Sequence, residues 1–159
     1  MKIDSAFLKH TIMMKKFKNL NDNEIELLLN APALFSVFAA SNDHEITSAQ
    51  KSDAIKLAHL KSFSSDDLSL LSYYSEVEKK FKTNFESIVK KYAPFDDKKR
   101  EELEIEIEKV NLVISKLDTD FANALHRSLC NYAEHVKKSD KSVLENFIFP
   151  IPINGISRY

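Results

Sequence analysis

Leu103-Glu104-Ile105-Glu106-Ile107-Glu108 alternates apolar and acidic residues, the pattern of a strand with one wet face. Read alone, it would put a β-strand in the chain and make the fold mixed. The longer window reverses that reading. Leu103, Ile107, Val110, Ile114 and Leu117 recur at spacings of four, three, four and three, the seam of a helix packed along another helix. Glu102 and Glu106 then fall on the solvated side. Each aliphatic residue buried along such a seam contributes about 1.5–3 kcal/mol. Together they outweigh the β-propensity of Ile105.

The rest of the chain agrees. Gly155 is the only glycine in 159 residues, roughly a tenth of what an average chain carries. Tight hairpins and phosphate-cradling loops need glycine for positive φ. Long periodic stretches are instead punctuated by Ser, Thr, Asn and Asp, the residues that start helices. Asn21 and Glu24 have capping-box spacing, as do Thr47 and Gln50. Pro32 is expected to end the helix begun near Asp22 or to open the next. Ala33–Ala40, apolar almost all round, reads as the central buried helix.

From Ser64-Ser65-Asp66-Asp67 a helical pattern runs to Tyr92, with Tyr73 and Tyr74 as the place where it could be interrupted. Its stripe is Val77, Phe81, Phe85, Ile88 and Tyr92, and Pro94 stops it. Asp118-Thr119-Asp120 opens the last long helix, with Phe121, Leu125, Leu129, Tyr132 and Val136 inside. Ser5–Lys18 reads as a short basic amphipathic helix covering one edge of the core through Phe7, Leu8, Ile12 and Phe17. A short piece follows over Val143–Phe147. The expected architecture is an all-α, single-domain bundle over residues 1–159, with about six to eight helices and an extended apolar C-terminal tail held extended by Pro150 and Pro152.

Composition excludes several function classes. Lys plus Arg number 23 against 24 acids, so no global field draws nucleic acid. The basic edge at Lys79, Lys80 and Lys82 lacks aromatics for base stacking. The most apolar window, Leu27–Ala40, is too short and too interrupted to insert in a membrane. No secretory signal is recognisable, and Cys130 stands alone, which suits a cytoplasmic protein.

Catalytic signatures are missing. One glycine allows no phosphate loop or dinucleotide fingerprint. No Glu stands three residues before a histidine, so the di-iron bundle motif is absent. Cys130 reads as a core or boundary residue, and His126 and His135 as surface residues on different faces of one helix. The chain is therefore expected to be no enzyme and to need no cofactor, unless a divalent cation. Asp43 and Glu45 flank His44 in a polar turn and offer oxygen ligands to Mg²⁺ or Ca²⁺. The ordinary alternative is that Asp43 shapes the turn while Thr47 caps the next helix. The segment Phe147-Ile148-Phe149-Pro150-Ile151-Pro152-Ile153 should not stay bare. Docking on its own bundle, a homodimer contact, or a cover over a ligand cavity would each hide it.

Several of these features together resemble the tellurite-resistance TerB-like helical family. They are the buried helix Phe35-Ser36-Val37-Phe38-Ala39-Ala40, the turn Ser41-Asn42-Asp43-His44-Glu45-Ile46, and the cap at Thr47. Ala133-Glu134-His135-Val136-Lys137-Lys138-Ser139-Asp140 would echo them in a second half. His44 stands where the family has glycine, and Gln50 where an acid is common. The resemblance spans residues 30–149. It implies a bundle of two related halves and a cytoplasmic bacterial role in chemical stress or in membrane-associated complexes. It also implies action through a protein partner without catalysis, and a divalent-metal site to which Asp140 would add.

Overall fold

The computed structural model describes residues 4–41, 45–64 and 67–138. Among them the chain forms α1 (Ser5–Lys16), α2 (Asp22–Ala40), α3 (Ser48–Ser64), α4 (Leu68–Tyr92), α5 (Asp97–Ile114) and α6 (Thr119–Lys138), with no strand. The alternating stretch of residues 103–108 lies inside α5, as the seam requires. Leu103 and Val110 are completely buried, while Ile105 is 53% exposed.

Side-chain caps set the helix starts. Glu24 N–H donates to Asn21 Oδ1 (2.9 Å), and Asn21 N–H to Glu24 Oε1 (3.1 Å). Gln50 N–H donates to Thr47 Oγ1 (3.1 Å), and Thr47 N–H to Gln50 Oε1 (3.0 Å). Both capping boxes thus form as their spacing requires. Asp67 accepts from Ser69 and Leu70 N–H, Asp96 from Lys99 N–H, and Asp118 from Phe121 N–H. Each acceptor satisfies a donor that the first helical turn leaves orphaned.

Helices α2 and α4 form the middle of the bundle and pack on each other. On the outer side of α4 lie α1 and α3; on the other side of α2 lie α5 and α6, with α3 also reaching α6. One continuous core results. The stripe Phe121, Leu125, Leu129, Tyr132 and Val136 of α6 is wholly buried, as are Val77, Phe81, Phe85 and Tyr92 of α4. Tyr73, Tyr74 and Tyr132 sit at the centre, with ring centroids 5.0 Å apart for the first two and 6.1 Å for Tyr74 and Tyr132.

Three expectations fail locally. Pro32 neither ends nor opens a helix; it lies inside α2, in an unbroken buried run from Ala31 to Val37. Proline cannot donate to the carbonyl four residues back, and here the Tyr73 hydroxyl donates to that Leu28 carbonyl instead. Helix α4 passes Tyr73 and Tyr74 without a break, because both rings are buried core rather than turn residues. On α1, Phe7 and Leu8 face outward, 65% and 45% exposed, while Met13 and Phe17 enter the core. His10 Nδ1 lies 3.4 Å from Glu76 of α4, and Lys9 acts on Glu78 of the same helix. The first half of α1 thus meets α4 through polar residues rather than through Phe7 and Leu8.

Candidate functional site

The acidic turn can be followed only at its edges. Asp43, His44 and Asp140 lie outside the described residues, as do the C-terminal tail and the Val143–Phe147 piece. The echo of the turn after α6 therefore also lies outside them. Glu45 is exposed. Ser41 caps the end of α2, and its Oγ donates to the Phe38 carbonyl at 2.8 Å. Arg100, from the first turns of α5, donates through Nη1 to the same Oγ at 2.8 Å and lies 5.3 Å from the centre of the Phe38 ring. A permanent cation is thus fixed beside the residue that enters the turn. Among the described residues no three His, Cys, Asp or Glu side chains are gathered to hold a metal.

The chemistry-bearing residues of α6 do not converge on one another. His135 is exposed, whereas His126 and Cys130 are half-buried, with Cys130 Sγ 4.0 Å from His126 Nε2. Burial pushes the Cys130 thiol up, away from the nucleophilic thiolate. Burial likewise raises all three central tyrosines, and the Ser128 hydroxyl at Tyr74 only partly opposes it. These hydroxyls serve as donors and rigid packing rather than as bases.

Where α1 packs on α4, a groove of about 340 Å³ is lined by Asp4, Ser5, Lys9, Ser75, Glu76 and Lys79. Its charges are engaged internally: Glu76 takes both His10 and Lys79, the latter at 2.9 Å. Glu78, beside it, meets His59 of α3. Burial alone would raise the Glu78 carboxyl, but hydrogen bonds from His59 and Ser62 and the charges of His59 and Lys9 outweigh it, holding the group below its usual range. A depressed carboxylate stabilises the fold fully above its unfolded value and loses that contribution as pH falls through the folded value. Urea midpoints should therefore fall on acidification below the ordinary carboxylate range, and Glu78→Gln should flatten that part of the profile. An unchanged slope in the variant would show that Glu78 is not the linked group.

A second cavity, also about 340 Å³, lies between the end of α5 and the start of α6. Its polar lining is Asn111 and Ser115 from α5 with Asn123, His126 and Arg127 from α6, over an aliphatic floor that includes Ile114. Sequence reasoning missed this cleft. The only signal was a pair of polar positions on each side of the Asp118–Asp120 turn, and nothing in their spacing shows that the two helices part there.

The chain matches no protein-family model, no curated protein and no solved structure. Among the described residues no helix is long and apolar enough to cross a membrane.

Proposed function

We propose that this chain is a non-catalytic helical module, of the TerB-like stress-response kind its turn and caps resemble, that works by protein–protein contact, with a second copy of itself as the partner. One observation carries the reading. Among the described residues eight large apolar side chains are exposed; Phe7, Leu8, Met14, Leu60, Phe63 and Leu68 lie on α1, on α3 or at the start of α4, and the other two, Ile105 and Leu112, lie on α5. Concentration of six of them on α4 and two helices packed against it goes beyond the scattered apolar residues of an ordinary surface. The sequence supplies a complementary element in Phe147–Ile153. The chain enters that stretch from the end of α6, where the Lys137 carbonyl accepts from Gln50 Nε2 of α3 at 3.5 Å. An apolar segment of this kind has the chemistry to cover the exposed side chains of α1 and α3 on another copy. A cytoplasmic setting belongs to the same proposal.

Sedimentation velocity across a concentration series tests it. The full chain should populate a dimer. Phe63→Glu, and separately Phe147→Ser with Phe149→Ser, should each shift the distribution to monomer while circular dichroism stays helical. A monomer at every concentration, or a dimer indifferent to both variants, would refute this reading.

A further inference from the structure

We propose that the cleft between α5 and α6 binds a small oxyanion-bearing solute, gripping a phosphate or carboxylate group with Arg127 and the side-chain amides of Asn111 and Asn123. The proposal is independent of the α1–α3 contact face. Its first support is the composition of the lining, which holds a guanidinium, two carboxamides, a hydroxyl and an imidazole but no carboxylate. A guanidinium presents donors in a planar fork that fits carboxylate and phosphate oxygens.

The second support is that these donors are unspent. Among the described residues the side chains of Arg127, Asn111 and Asn123 make no hydrogen bond to protein, and Arg127 makes no ion pair. Most of the other cationic side chains near this end of the bundle are engaged: Lys16 pairs with Asp118 at 3.3 Å, and Lys116 pairs with Glu24. Of the acids in the α5–α6 turn, Asp118 is paired and does not line the cleft. Asp118 accepts from Phe121 N–H at 3.1 Å as well as from Lys16. Asp120 lies outside the lining.

Local geometry adds to this. His126 turns Nε2 toward the Cys130 thiol. Because burial keeps that thiol protonated, its hydrogen can go to Nε2 and leave the Nδ1 hydrogen as a further donor. Ser115 Oγ already donates to the Leu112 carbonyl at 2.5 Å, so its remaining capacity is as an acceptor. The site would therefore take an oxyanion at Arg127 and a hydroxyl or amide hydrogen at Ser115. Its volume is at the lower end for small-molecule pockets, and Ile114 suits a short hydrocarbon stem.

The α1–α4 groove of similar size does not share these features, because it is lined by the carboxylates of Asp4 and Glu76, the latter paired with Lys79.

The test is a titration of the full chain, labelled with ¹⁵N, with inorganic phosphate and in a separate arm with succinate. Saturable shifts of the Asn111 and Asn123 side-chain amides and of Arg127 are expected from at least one probe. A response to phosphate alone assigns a phosphorylated ligand, and a response to succinate alone a carboxylated one. Arg127→Gln should weaken binding by about tenfold or more, as loss of a charge-assisted fork implies, whereas Lys82→Gln on the exposed face of α4 should leave it unchanged. Asn123→Ala provides a second variant should Arg127→Gln disturb the helix. The proposal fails if neither probe gives saturable shifts at millimolar concentration, if the shifts map elsewhere, or if Lys82→Gln weakens binding as much as Arg127→Gln.

Discussion

Replacing Leu103 by Ala should lower stability by about 2–5 kcal/mol, whereas Ile105→Ala should change it by no more than about 0.5 kcal/mol. The two residues are two positions apart in an alternating stretch, and a strand would place them on one face. A helix puts them far apart around its axis, and the structure does so: Leu103 is fully buried in the core shared by α5 and α2, and Ile105 is 53% exposed. Truncating Leu103 leaves a cavity that close-packed neighbours cannot fully collapse into. Truncating Ile105 removes atoms that mostly touch water. Urea denaturation of the two variants, read as midpoints at constant slope, gives the comparison. Equal losses at the two positions would mean that residues 103–108 are not helical in solution.

The success of that reading shows which physics a sequence carries on its face. Helical periodicity over the α4, α5 and α6 stripes is local, and so is capping: Asn21 with Glu24 and Thr47 with Gln50 each satisfy backbone donors within one turn of themselves. Both could be read without knowing what else was nearby. Pro32 and the Phe7–Leu8 pair could not, because their placement depends on partners far along the chain. Tyr73, which serves the carbonyl that Pro32 abandons, is 45 residues from Leu28. Along the first half of α1 it is His10 and Lys9, rather than Phe7 and Leu8, that meet α4.

The α5–α6 cleft was illegible for a related reason. It exists because two successive helices diverge after a turn, and neither helix records that angle in its own pattern. Of the acids in the turn, Glu45 alone falls among the described residues, and Arg100 beside Ser41 was a feature no motif announced. Arg100 is distant in sequence and reads locally as part of a solvated charge run.

Tyr73→Phe should cost about 1–3 kcal/mol, more than the loss of an ordinary hydrogen bond, because it strands a buried acceptor. In an uninterrupted helix the Leu28 carbonyl would receive the N–H of the residue at position 32, but proline has none. Both Leu28 and Tyr73 are fully buried, so water cannot take over. Burial first, and then the neighbouring Tyr74 and Tyr132, keep the Tyr73 hydroxyl protonated, so it remains a donor. Ser36 Oγ donates to the Pro32 carbonyl at 2.6 Å, binding the next turn of α2 around the same irregularity.

If this account is right, the two residues are coupled in a definite direction. Pro32→Ala restores a backbone donor to Leu28, and Tyr73→Phe made in that background should cost less than it does alone, by about 1 kcal/mol or more. Pro32→Ala by itself relieves the proline ring clash, but the Leu28 oxygen that its new N–H would serve already accepts from Tyr73, so its gain should be smaller than removal of a helix-interior proline would otherwise bring. A double-mutant cycle by urea denaturation measures the coupling. Tyr73→Phe costing the same in both backgrounds would mean that the hydroxyl is not compensating for the proline, and that α2 tolerates Pro32 through packing alone.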